Sequence, residues 1–346
     1  MKAIGFYEYG GSEVLKLIEV DNPPLKNDEV TIRMLATSVN RIDILVRQGF
    51  HGLNTPMPHI PGIDIVGTVE NIGSDVKDFS KGDLVVANTL YGCGSCGMCR
   101  AGDEVLCNGW KDFGLHVWGS YGELVNVPSK TLIMPPKAFS TAELAAMPVA
   151  LGVSWRCLNT LARARSGETV FVWGATGNVG LFSTILSKSM GLRVIGISRS
   201  KEKAEALKKA GADYVVDGNK DDDSIVKEVQ AFTKENGGVD VVIEPFGATL
   251  ASSIKMVRNG GRIALFGVLR GDTPTISAKF TYLKSVSILG THNSTRKELS
   301  DAMQFMAYKS LKPVIGKTLK LTEAGKAQDM LSKSEVFGKI ILQHDI

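Results

Sequence analysis

The feature that most constrains this chain is a repeated alternation of short apolar runs with amphipathic stretches. From residue 169 onward, "TVFVWG" is followed by "GNVGLFSTILSKSMG" and "RVIGIS" by "SKEKAEALKKAGA". "DYVVD" then precedes "DDSIVKEVQAFTKENGG", and "VDVVIEP" precedes "ATLASSIKMVRNGG" and "RIALFGV". The short runs read as buried strands and the longer ones as helices. βαβ units in series require a parallel sheet covered by helices on both faces. The stretch before it, "STAELAAMPVALGVSWRCLNTLARA", reads as largely helical, with Ser140 or Thr141 as N-cap and Glu143 close behind.

The first strand-to-helix turn of that series carries glycines at Gly174, Gly177 and Gly180, in the order Gly174-Ala175-Thr176-Gly177-Asn178-Val179-Gly180. Glycine lets backbone N–H groups approach a pyrophosphate closely, and the following helix N-terminus favours the anion. A strand–turn–helix context turns this weak motif into a dinucleotide-binding expectation. The second strand ends "IGISRSKEK", with Ser198, Arg199 and Lys203 where an NAD site usually carries an acid. A carboxylate there repels a 2′-phosphate and Ser with Arg attracts one, so the expected cofactor is NADP(H). Gly267 and Val268, in "ALFGVL", are expected to come up against the nicotinamide.

Ahead of residue 140 the texture differs. "EVTIRMLATSVN", "DIVGTVENIG" and "DLVVANT" are β-rich and separated by turn signals such as "NPP" and "PMPHIPG". After "SVSILGTH" the chain returns to helical stretches, "RKELSDAMQFMAY" and "TEAGKAQDMLSK", and a last strand, "GKIILQ", that can pair back onto the β-rich part. The expected division is therefore 1–148 with 285–346 as a β-rich domain, and 149–284 as the nucleotide-binding domain. The formal net charge of +4 is mild, with no basic run fit for nucleic acid. No apolar run reaches the roughly 18 residues of a membrane span. The N-terminus lacks a signal peptide's apolar core, so a cytoplasmic location is expected.

Four of the five cysteines, Cys93, Cys96, Cys99 and Cys107, fall within "LYGCGSCGMCRAGDEVLCNG", residues 90–109. In a reducing compartment such clustering favours metal over disulfides. Four thiolates complete a tetrahedral Zn²⁺ shell and leave no open position, which marks a structural site with one ion per subunit. Packed free thiols and an iron–sulfur cluster are the competing readings, although the fourth cysteine lies far on and no proline follows it.

This order of segments, with "HIPGIDIVGTVENIGSDVKDFSKGDLVV", "GSYGELVNVP" and "GGRIALFG", resembles the medium-chain dehydrogenase/reductase superfamily over essentially the whole chain. The resemblance implies an α/β fold: a Rossmann doubly wound parallel sheet plus a GroES-like β-rich catalytic domain, with the active site in the cleft between them. It also implies a small-molecule substrate, no nucleic-acid or membrane partner, and a homodimer or homotetramer. Zinc alcohol dehydrogenases of that family hold a second, catalytic zinc by a Cys, a His and a further Cys. Here Asn40, Ile63 and Leu151 stand in or nearest those places, with Asp43 and Asp64 beside the first two. These departures match the quinone-oxidoreductase and enoyl-reductase branches.

Without a Lewis acid, alcohol oxidation is difficult, whereas hydride transfer from NADPH to a quinone or an α,β-unsaturated carbonyl needs none. Asn40 is expected as an active-site residue, donating a hydrogen bond to the substrate oxygen or orienting the nicotinamide ribose. His51 is expected as a proton donor, its ordinary pKa lying near neutrality. Two other readings stay open. One is a zinc-dependent alcohol dehydrogenase built from Asp43, His51, His59 and Asp64; the other is a nucleotide-binding protein with little turnover.

Overall fold

The computed structural model describes residues 1–49 and 55–346, so His51 lies outside the described residues. The chain forms two compact units, one of residues 1–152 with 294–346 and one of residues 153–293. Together they make a mixed α/β fold.

The second unit contains the parallel sheet. Its strands are Thr169–Val172, Arg193–Ser198, Tyr214–Asp217, Val239–Glu244, Val257–Leu265 and Ser287–Gly290. Numbered along the chain, they lie in the order 3-2-1-4-5-6, each parallel to its neighbours. This is the doubly wound Rossmann order, which reverses between the first and fourth strands. Those two strands are buried throughout, as helices on both faces require. Phe171, Trp173, Ile195, Val242 and Ile263 belong to the unit's core. The sixth strand completes the sheet, so the chain leaves this unit after residue 293, rather than at the expected 284.

One local expectation needs correction. The helix expected over 248–261 spans only Leu250–Met256, and the strand begins at Val257. Val257 pairs with Val239 across a register irregularity, so sheet pairing claims residues whose local pattern suited a helix. The stretch from residue 140 is largely helical, as expected, in the segments Thr141–Ala145, Pro148–Trp155 and a π-helical turn over Arg156–Leu161. Pro148 has no N–H to continue the first segment and instead opens the second. Ser140 is the N-cap, in a reciprocal box with Glu143.

The first unit is built around the ten-residue strand Glu29–Ser38. That strand pairs antiparallel with Ile65–Ile72, Leu124–Pro128 and the last strand, Lys339–Gln343. In the last pairing Ile341 lies opposite Ser38 and Leu342 opposite Thr37. The central strand runs directly into the helix Arg41–Arg47, with Asn40 as its N-cap. The C-terminal strand is thereby laid beside Asn40. Residues 90–109 leave this unit as a lobe, at whose ends Leu90–Tyr91 and Lys111–Asp112 form a two-stranded pair. Among the described residues no helix is long and apolar enough to cross a membrane.

Candidate functional site

The four lobe cysteines converge. One sulfur from each of Cys93, Cys96, Cys99 and Cys107 lies within 4.8 Å of all the others. A tetrahedron with metal–sulfur bonds of about 2.3 Å has edges of about 3.8 Å, so the set fits Zn²⁺. The backbone is arranged for thiolates. Cys93 N–H and Gly109 N–H each donate to Cys107 Sγ at 3.3 Å, and Cys96 N–H donates to Cys93 Sγ at 3.4 Å. Ser95 supports the charge on Cys93, whose thiol is held down to about 5, while burial pushes Cys99 up to about 12. A metal binding all four would displace the proton from Cys99. At Gly92 a Cβ would lie 2.5 Å from Cys99 Sγ, so a side chain there would collide with the sulfur cluster. Among the described residues this is the one group of three or more metal-ligating side chains brought together.

The glycine turn lies between the strand Thr169–Val172 and the helix Asn178–Ser189, with Gly177 as N-cap. Gly174 has φ +60°, and a Cβ on Gly180 would lie 2.2 Å from Gly174 O and 2.8 Å from Ala175 Cα. The helix start therefore packs directly on the turn, with Ala175, Thr176 and Asn178 around it and Val179 in its first turn. No acidic residue stands in that first turn, which leaves the N-terminal N–H groups and dipole open to an anion.

At the end of the neighbouring strand, Ser198 Oγ donates to Ser200 O and accepts from Ser200 N–H. Arg199 is exposed and Lys203 half-buried. Burial lowers the Lys203 pKa, and the like charge of Arg199 lowers it further. Gly267 follows the fifth strand against Pro245 O, and Val268 is 48% exposed.

The first unit holds a buried polar cluster that sequence reasoning only partly found. Asn40 Nδ2 donates to Asp64 Oδ2 at 2.7 Å and toward Ser38 O at 3.4 Å. Its Oδ1 accepts from Lys339 Nζ at 2.8 Å. The amide hydrogens thus point at Asp64 and Ser38, not at an outside oxygen. Asp64 also accepts from Ser38 Oγ, from Val149 N–H at 2.9 Å and from Lys339 Nζ at 3.4 Å. Asp43 accepts from Asn40 N–H at 2.8 Å; burial first, and Asp64 further, push its carboxyl up to about 7. Ile63 and Leu151 are buried apolar residues. His59 is turned elsewhere, with Nε2 on Gly114 O at 3.0 Å, and burial lowers its pKa. Asn40, Ile63 and Leu151 do not fit a catalytic zinc, and the Lys339 amine already lies beside Asp64; burial lowers its pKa, and Asp64 and Asp43 oppose that.

Lys339 was missed by sequence reasoning. Its one signal is a lysine opening the apolar strand "KIILQ", where a charge is out of place.

The geometry agrees with the comparisons to known proteins. Residues 26–137 match the family described as alcohol dehydrogenase GroES-like domain, and residues 178–308 the family described as zinc-binding dehydrogenase. The acryloyl-coenzyme A reductase of Metallosphaera sedula is 31% identical over 338 residues, covering 96% of this chain and 97% of its own. The quinone oxidoreductase of Mus musculus is 31% identical, covering 99% and 97%. A crystal structure of an NAD-dependent alcohol dehydrogenase superposes with a TM-score of 0.93 at 34% identity, over 99% of both chains.

Proposed function

The chain belongs to the medium-chain dehydrogenase/reductase family and is an oxidoreductase; from that premise we propose that it is an NADPH-dependent reductase of quinones or α,β-unsaturated carbonyl compounds, working without a catalytic zinc. The observation that carries this reading is the Asn40–Asp64–Lys339 cluster, where the amide standing in one ligand place is tied to an aspartate and a buried lysine. The relatives named acryloyl-coenzyme A reductase and quinone oxidoreductase support it. Acryloyl-coenzyme A is by its chemistry an α,β-unsaturated thioester, already electrophilic at its terminal carbon.

In this reading Gly174, Ala175, Thr176, Gly177, Asn178 and Val179 hold the pyrophosphate. Ser198, Arg199 and Lys203 hold the 2′-phosphate, and Gly267 and Val268 border the nicotinamide. The bound cofactor supplies the hydride. Asn40 acts as a positioning residue, its amide held by Asp64 and Lys339. His51 supplies the proton that completes the product. Cys93, Cys96, Cys99 and Cys107 hold one structural zinc, and two or four chains assemble.

The test is initial-rate spectroscopy at 340 nm. NADPH should be consumed with an enone, an enoyl thioester or a quinone, and NADP⁺ should not be reduced by simple alcohols. Efficient alcohol oxidation would favour the zinc alcohol-dehydrogenase reading. Nucleotide binding with no turnover on any acceptor would favour a non-catalytic role.

A further inference from the structure

Among the described residues, Lys339 is the only lysine in the buried set, and its side chain is 2% exposed. It opens a strand whose next three residues, Ile340, Ile341 and Leu342, are also buried. Placing an ammonium there is costly unless partners answer it. Two do, Asn40 Oδ1 at 2.8 Å and Asp64 Oδ2 at 3.4 Å.

Polar contacts crowd one side of the Asp64 carboxylate. An ionised carboxylate offers about four lone-pair sites. Asp64 Oδ2 accepts from Ser38 Oγ, Asn40 Nδ2 and Lys339 Nζ, and its Oδ1 accepts from Val149 N–H. A metal ion at Oδ2 would have to displace one of these and then sit beside a positive charge in a buried interior. Lysine can only donate and a carboxylate can only accept. An amide lying between them is therefore forced to turn Oδ1 to the lysine and Nδ2 to the aspartate. The ambiguity that normally attends an asparagine amide is removed by the charges on either side.

We propose that Lys339 is the resident cation of this interior site, neutralising Asp64, and that the Lys339–Asp64 pair is a positioning device fixing the Asn40 amide. The charge and orientation parts stand on the cluster itself. The consequence for turnover rests on the reductase reading above.

The experiment compares the full-length wild type with Lys339→Met, Asp64→Asn and the pair of changes together. Four quantities are read: thermal midpoint, the side-chain ¹⁵N amide resonance of Asn40, kcat against KM for NADPH, and cobalt bound per chain. Wild type should take up one cobalt, with thiolate charge-transfer absorption. Either single change should lower the midpoint and shift the Asn40 resonance. The double change removes both charges, so it should recover most of the midpoint but not the resonance. Its kcat should fall by about tenfold or more with KM for NADPH little changed, as expected when a group that positions the reactants is displaced.

A second cobalt bound tightly by wild type would overturn the resident-cation assignment. So would a Lys339→Met protein with the wild-type midpoint. A double variant with wild-type kcat would overturn the positioning role. A wild type that reduces no enone or quinone would instead sink the reductase reading, leaving the midpoint and the amide resonance to decide this one.

Discussion

Lys339 Nζ reaches Asp64 Oδ2 at 3.4 Å, with side chains 2% and 0% exposed, although the two residues are 275 positions apart. The pair links the C-terminal strand to the strand and helix around Asn40. Breaking a buried pair by removing one partner costs about 3–5 kcal/mol, because the other charge stays buried and uncompensated. Lys339→Met should therefore lose about that much in urea denaturation. Asp64→Asn combined with Lys339→Met should lose markedly less than the sum of the singles.

Asp43 sets a pH dependence. Its carboxyl rises from an ordinary 3.8 to about 7, chiefly through burial, with Asp64 adding to the effect and Lys339 opposing it. Tyr121 is the other titratable group coupled to it, its own pKa raised by burial. Between those two pH values the folded chain holds a proton that the unfolded chain has lost. Stability from this group is full below pH 3.8, falls as pH rises toward 7 and is level above, by up to about 4 kcal/mol. Asp43→Asn imitates the protonated form. The free energy of unfolding of wild type, measured relative to that variant, should decline from pH 4 to pH 7 and then flatten. A pH-independent difference would contradict the assignment.

Gly180 has no room for a side chain, since an added Cβ would meet Gly174 O at 2.2 Å and Ala175 Cα at 2.8 Å. Both neighbours are backbone, so relief requires moving the turn. Gly180→Ala should cost about 1–3 kcal/mol, as overpacking does, and weaken dinucleotide binding in a fluorescence titration. Unchanged affinity in the variant would mean that the turn is not the phosphate site.

The choice between NADPH and NADH is proposed to rest on Ser198, Arg199 and Lys203. A hydrogen bond to a charged group contributes about 1.5–3 kcal/mol. Arg199→Ala should therefore raise KM for NADPH by roughly 10- to 100-fold and leave KM for NADH nearly unchanged. Equal effects on both cofactors would place the 2′-phosphate elsewhere.

What the sequence shows clearly is what short-range chemistry decides. The strand–helix alternation, the glycine turn and the close cysteine spacing are local patterns, and each corresponds to a compact feature of the structure. The helix expected over 248–261 fails because pairing of Val257 with Val239 overrides local pattern. The interruption after Ala145 follows from Pro148, which opens the next helical segment. The Asn40 environment is a different matter. Asn40 and Asp64 are visible as substitutions within a familiar pattern, but their orientation depends on a lysine 299 residues away from Asn40. Only the antiparallel register of Lys339–Gln343 on the central strand brings that ammonium to the amide.

The most direct test of the account is zinc content measured on protein that is actively reducing an enone or quinone with NADPH. The prediction is one zinc per chain. Cys96→Ser with Cys99→Ser should abolish it and expose residues 90–109 to protease, while NADPH still binds. Two zinc ions per chain, the second lost together with activity on mild chelation and retained in the cysteine variant, would contradict a metal-free active site and return the protein to the zinc alcohol dehydrogenases.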